Sequence, residues 1–187
     1  MNRKIFKSIF IDGSFLFHCV QNLGVRIDYK KLKNLFLTPS DHLVSASYYT
    51  ALPNEGDIDE RHKSFIKILK KEVRVRVRSV PLLKGPEIDK SIPSPFPVNS
   101  PRYSKGEDIL LACDMVKGAY TGQYDVAILV TGDGDFVPAV RMVQDAGKPV
   151  IIASFHSSLS QYLDMEASDV IYLDEYLDKI RLIESKN

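Results

Sequence analysis

The stretch VAILVTGDGDF, Val126 to Phe136, limits the fold of this chain more than any other. Its apolar, β-branched run stops abruptly at Thr-Gly-Asp-Gly-Asp. A short apolar run bounded by turn residues reads as a buried parallel strand, here with Asp133 and Asp135 at its C-terminal tip. The same grammar recurs in SIFIDGS, Ser8 to Ser14, where the run ends at Asp12-Gly13. In open α/β sheets the functional crevice lies outside the carboxyl ends of the strands. Two strand tips carrying bare aspartates therefore point to one shared acidic site.

The rest of the pattern supplies the other layers. Strands are expected over residues 5–12, 42–51, 73–80, 125–130, 149–154 and 170–173, and helices over 15–22, 29–36, 107–120, 136–146, 159–167 and 174–183. A further helix runs to about Lys71, capped by Asp57 or Asp59. Residues 73–80 alternate, with Val73, Val75 and Val77 on one face and Arg74, Arg76 and Arg78 on the other. That period of two marks a strand with one solvated face, best placed at a sheet edge. Helix 107–120 is expected to bury Ile109, Leu110, Ala112, Cys113 and Val116. Strands alternating with helices predict a three-layer α/β fold, a mainly parallel sheet with helices on both faces.

At 187 residues the chain is read as a single domain over 1–187 with a real core. The basic and then apolar start is too short, and too interrupted by Lys7 and Asp12, for a signal peptide. No apolar run approaches the ~20 residues that span a membrane. Cys19 and Cys113 form no zinc-type pair, and a cytoplasmic, reduced location is expected. The net charge of +1 hides an asymmetry: residues 1–105 carry 19 Lys/Arg against 10 Asp/Glu, and residues 106–187 carry 6 against 14. From Arg61 to Arg78 eight basic residues meet one acid, Glu72. Such a run is either a solvated face or a surface for phosphates beside an acidic site. Residues 81–104 hold six of the ten prolines and read as a long loop without regular structure, functional or disordered.

Four carboxylates form the candidate catalytic constellation: Asp12, Asp108, Asp133 and Asp135. Asp108 opens a helix after the long loop and can point back at the strand tips. Gly13, Gly132 and Gly134 are expected to permit tight turns. Hard oxygen ligands of this kind hold Mg²⁺ or Mn²⁺, which orient and activate water and stabilise charge on a phosphate. Crowded carboxylates also repel one another, so some are expected to have raised pKa values. Taken singly, Asp135 is a helix cap and Asp12 and Asp133 are loop residues. Their joint placement at strand ends is what favours a metal site.

The motifs IDGS (11–14), KGED (105–108), CDM (113–115), LVTGDGDF (129–136), GKPVIIASF (147–155) and LSQYLDMEASDVIYLDE (159–175) together resemble the NYN domain, especially its LabA-like branch. The resemblance covers nearly the whole chain and implies the PIN-like nuclease fold. It implies a metal-dependent ribonuclease, with metal on Asp12, Asp108 and Asp133 and Asp135 beside them. One departure stands out. The family's first motif usually reads Asp-Gly-x-Asn, and Phe15 occupies the Asn position. Asp114 resembles a family acid but lies about 120° around the helix from Asp108, and is expected to act indirectly or structurally. Ser14, Lys105 and Thr131 are expected to support the acids or meet substrate.

The leading expectation is therefore a Mg²⁺- or Mn²⁺-dependent endoribonuclease whose RNA backbone lies on Arg74, Arg76 and Arg78. Phe15 motivates the alternative, a catalytically weak or inactive RNA-binding regulatory module. A phosphatase of small phosphoesters would instead need a closed pocket. Tyr48, Tyr49 and Tyr103 are candidates for stacking on bases, or for packing. No serine-hydrolase set and no GxxxxGK[ST] loop is present. A homo-oligomer is left open, and no membrane partner is expected.

Overall fold

The computed structural model describes residues 4–52, 58–81, 83–84, 103–104 and 106–183. The main strands are β1 (Ile5–Asp12), β2 (Asp41–Leu52) and β3 (Arg76–Pro81), followed after a two-stranded insertion by β6 (Val126–Val130), β7 (Val150–Ser154) and β8 (Asp169–Tyr172). They form one sheet in the order β3-β2-β1-β6-β7-β8. Every neighbouring pair in it is parallel. The chain builds outward from β1 to β3 on one side and from β6 to β8 on the other. Strand order thus reverses between β1 and β6, where a crevice opens at the strand tips. The insertion is a short antiparallel pair, β4 (Leu83–Lys84) with β5 (Tyr103–Ser104). This corrects part of the expected unstructured loop; the remainder of residues 81–104, with most of its prolines, lies outside the described residues.

The period of two along the central strands makes the two cores. Ile9 and Ile11 of β1 and Ile128 and Val130 of β6 face one layer, with α1 (Gly13–Asn22), α2 (Tyr29–Leu35), α3 (Glu60–Lys71) and α7 (Leu177–Ile180). Phe10, Ala127 and Leu129 face the other, with α4 (Glu107–Tyr120), α5 (Val137–Asp145) and α6 (Gln161–Glu166). Ala127 to Val130 are all fully buried. Each large member of that run contributes about 1.5–3 kcal/mol by leaving water. Helices therefore cover both faces, completing the three-layer fold.

The caps follow from short polar side chains at the helix starts. Asp59 accepts from the His62 amide at 2.8 Å and caps α3, while Asp57 lies outside the described residues. Asp28 caps α2 through the amides of Lys30 and Lys31. Arg76 to Arg78 sit on the edge strand as expected, but the strand starts only at Arg76: residues 73–75 lie outside it, with Arg74 at a φ of 56° and Val73 and Val75 buried. The last helix is shorter than its sequence suggests. Residues 173–176 form a tight turn, α7 ends at Ile180, and Arg181 instead bridges Ile27.

The phase of one helix needs correction. Helix α4 is rotated from its expected phase: Leu111, Met115, Gly118 and Ala119 are buried, whereas Ile109 is 69% exposed and Cys113 is exposed. Of the two readings of the tyrosines, packing holds for Tyr48 and Tyr49, which are core residues. Tyr48 donates to the Gly13 carbonyl and Tyr49 to Asp114. Among the described residues no helix is long and apolar enough to cross a membrane.

Candidate functional site

The two strand tips meet where β1 pairs with β6, and the side chains there lock one another. Asp12 ends β1 and starts α1. Its Oδ1 accepts the Phe15 amide at 3.0 Å, so it serves as the N-cap of α1. Its Oδ2 accepts the Thr131 hydroxyl at 2.9 Å, across the β1–β6 junction. Thr131 Oγ1 in turn accepts the Asp133 amide at 3.3 Å. Thr131 thus spends its hydroxyl on fixing Asp12. Asp133 is exposed and accepts the Asp135 amide at 2.9 Å, capping the turn of residues 134–136. Asp135 itself is exposed in that turn.

The third acid facing this junction is Glu107, which sequence reasoning passed over. It is 1% exposed, and its Oε1 accepts the Ser14 hydroxyl at 3.2 Å. Its Oε2 is buried and has no hydrogen-bond partner among the described residues. Asp108, the acid expected here, is exposed on the same first helical turn. The signal was present in the spacing. Glu107, Leu111, Met115 and Ala119 recur every four residues and share the buried face of α4.

Charge and burial act together on Asp12. Burial is the main cause that raises its pKa above the ordinary value; the bonds from Phe15 and Thr131 pull against it, and the charges of Asp133 and Glu107 push it further up. Among the described residues, none of Asp12, Glu107 and Asp133 forms an ion pair. Lys105 lies outside the described residues.

These donors are hard oxygens, the chemistry that Mg²⁺ and Mn²⁺ prefer. The unpartnered Glu107 oxygen beside Asp12 and Asp133 is the kind of group a cation would satisfy. Among the described residues, however, no three His, Cys, Asp or Glu side chains stand together as a ready ligand cage. The expected three-ligand set of Asp12, Asp108 and Asp133 is thus not assembled. The residues fit a sparser site, in which one or two carboxylates hold an ion that keeps most of its waters, as Mg²⁺ commonly does.

The glycines matter for a reason other than the expected turn conformations. Gly13, Gly132 and Gly134 do not have positive φ. Gly132 is needed because a β-carbon there would strike the Ser158 carbonyl and the Phe15 ring. Ser160 also donates its amide to the Gly132 carbonyl at 2.8 Å. The loop after β7 is therefore pressed onto the acidic loop. Phe15 lies at the base of the site and packs on Phe155, with ring centroids 6.4 Å apart.

Asp114 stands apart from the junction. It accepts two bonds from the Arg78 guanidinium, at 3.0 and 3.2 Å, and one from Tyr49 at 3.0 Å. Asp114 therefore ties α4 to the β2–β3 edge. Arg78 is engaged in that tie and also lines, with Lys70, Arg74 and Arg76, a shallow basic groove.

The family signature described as NYN domain matches residues 7–174. The chain is similar to the low amplitude and bright protein LabA of Synechococcus elongatus, 28% identical over 159 residues, 83% of this chain and 77% of that protein. An uncharacterized protein of Methanocaldococcus jannaschii is 33% identical over 89 residues, 46% of this chain but 37% of that protein. That match spans little more than a third of the archaeal relative's length. Among solved structures, a protein of unknown function from Vibrio parahaemolyticus superposes with a TM-score of 0.73 at 25% identity, covering 97% of this chain and 100% of that one.

Proposed function

Because the chain belongs to the NYN domain family, on its LabA-like branch, we propose that it hydrolyses RNA phosphodiester bonds in the cytoplasm with a divalent metal. The observation that carries this reading is the buried, unpartnered Glu107 oxygen beside Asp12 at the reversal of strand order. A buried carboxylate without a partner costs stability. A structure that keeps one in a crevice is arranged for something that enters from outside.

Asp12 and Glu107 would hold Mg²⁺ or Mn²⁺, with Asp133 on the rim to meet the waters of the ion and the exposed Asp108 and Asp135 close in sequence to those positions. Nucleases of this family generally depend on such an ion, which when bound lowers the pKa of water and offsets phosphate charge. Thr131 and the Phe15 amide fix the Asp12 carboxylate, so its oxygens need no reorganisation during the reaction. Ser14 does the same for Glu107. Asp133, exposed on the rim, would orient a water or accept its proton as the water attacks phosphorus and the P–O bond breaks, the leaving oxygen taking a proton from solvent. Arg74 and Arg76 offer cationic contacts for the RNA backbone away from the cut.

The decisive experiment incubates single-stranded RNA with the protein and Mn²⁺, with and without chelator, beside Asp12→Asn. Cleavage lost with chelator and lost in the variant supports the reading; metal-independent cleavage, or cleavage retained in the variant, overturns it. A second reading rests on Phe15, whose ring sits against Gly132 where the family's Asn would place a polar group. On that reading the chain is an RNA-binding regulatory module. RNA binding with no cleavage, and cleavage restored by Phe15→Asn, would favour it.

A further inference from the structure

Beyond the acids, the same edge of the sheet carries a second, unrelated constellation. His156 follows β7, and Tyr172 ends β8. Their rings lie flat on each other, with centroids 3.8 Å apart and planes 9° from parallel. Asp174 locks the imidazole: its Oδ2 accepts the His156 amide at 2.9 Å and lies 2.8 Å from Nδ1. Nε2 faces Glu175, whose Oε1 is 3.8 Å away. The His156 side chain is nevertheless 56% exposed. Tyr172 is the one ring stacked on it among the described residues, which leaves its other face open.

An exposed histidine rarely holds one orientation, because side-chain entropy disfavours it. Here one ring hydrogen bond, a backbone bond to the same carboxylate and a stack hold it as a flat surface. The platform is tied to the acidic loop by its own chain. Ser158, two residues on, packs against Gly132, and Ser160 bonds the Gly132 carbonyl. Gly132 immediately precedes Asp133. The platform therefore stands beside the crevice, along the line of β6, β7 and β8.

We propose that the His156–Tyr172 stack is a docking surface for one unpaired base of a single-stranded RNA that crosses the acidic site. This rests on the ribonuclease reading of that site. The chemistry selects a base over a phosphate: Asp174 and Glu175 flank the ring and repel backbone charge, whereas every nucleobase offers a π-face to stack. The contact positions the strand and leaves the bond-breaking step to the acids.

The test measures binding of a fluorescein-labelled oligocytidine RNA in chelator, so that affinity is read without turnover. His156→Ala should weaken it about five- to tenfold, the low end for base–aromatic stacking. His156→Phe, which keeps the flat ring and drops the imidazole nitrogens, should bind nearly as wild type. His156→Leu keeps bulk over Tyr172 without a π-face and should behave like the alanine variant, which separates stacking from a folding defect. Unchanged affinity in both His156→Ala and His156→Leu overturns the platform while leaving the ribonuclease reading intact. Loss in His156→Phe equal to that in His156→Ala overturns it too, since the nitrogens would then make the contact. Failure of the wild type to bind RNA removes the underlying reading and the platform with it.

Discussion

Strand β1 carries a buried charge at each end, and the two ends are treated oppositely. At the N-terminal end Lys7 meets Asp41 at 2.8 Å, with side chains 13% and 3% exposed. Thr38 adds bonds to the same carboxylate from its amide, at 2.7 Å, and its hydroxyl, at 2.8 Å. Burial pushes the Asp41 pKa up, but the bonds from Lys7 and Thr38 outweigh it and hold it below the ordinary value. At the C-terminal end Asp12 is pushed up, and Glu107 beside it keeps an orphan oxygen. Both ends belong to one sheet, and their strands are set by the same apolar runs. The paired end holds the fold together; on the reading proposed above, the other end gives up stability to receive a ligand.

The largest expected effect separates chemistry from folding. Asp12→Asn should reduce Mn²⁺-dependent RNA cleavage on the order of a thousandfold. Lys7→Met should leave the cleavage rate of folded protein within about twofold, a size that needs only about 0.4 kcal/mol. A gel assay of RNA cleavage at a fixed concentration of folded protein checks both. Comparable losses in the two variants would break the contrast between the ends.

Stability should respond in reverse. Lys7→Met leaves Asp41 without its cation and should cost about 2 kcal/mol, or roughly 4–8 °C in Tm. Asp12→Asn in chelator should not lower Tm, and at pH 7 should raise it by removing an ionised group that the fold disfavours. The pH dependence follows from the direction of the shift. A raised native pKa gives Asp12 a stabilising contribution that is full below its ordinary value near 3.8 and lost as pH rises through the raised native value. The Tm advantage of Asp12→Asn should therefore shrink as pH falls from 7 toward 4. Differential scanning fluorimetry across that range checks it; an advantage independent of pH would mean that packing, not charge, is responsible.

The smallest effect concerns the basic edge. Replacing Arg74 and Arg76 together by Ala should flatten the salt dependence of RNA binding by about one and a half units of log K per log salt. Arg78→Ala should change that slope little, because its guanidinium already holds Asp114, and should cost stability instead. Titrations at several salt concentrations distinguish the arginines.

These contrasts also explain what could be read from residues alone. The apolar runs at residues 5–12 and 126–130 announce buried strands because burial on both faces leaves little room for polar residues. Their Asp-Gly ends announce the crevice. The alternation of Val and Arg announces an edge, although only its end, Arg76 to Arg78, lies in the strand. The phase of α4 was harder to read. Its apolar side chains spread over a wide arc, and Ile109 is as hydrophobic as the buried Leu111 although it points outward. That one rotation hides Glu107 and advertises Asp108. The His156–Tyr172 stack was illegible for another reason. Its partners are far apart in sequence, His156 just past the end of β7 and Tyr172 at the end of β8, and the pairing of Ser154 with Tyr172 brings them together.

The most direct test is the melting temperature of wild type, Asp12→Asn and Lys7→Met, each with chelator and with millimolar Mn²⁺. Binding to the native state alone stabilises it by RT ln(1 + [L]/Kd), about 1.4 kcal/mol at ten times Kd, or roughly 3–6 °C here. The account predicts such a rise for wild type and an equal rise for Lys7→Met on its lower baseline. Asp12→Asn should show little or none. A wild-type curve that does not move with Mn²⁺, or a rise that survives in Asp12→Asn, would contradict the claim that this end of the sheet is kept open for a metal.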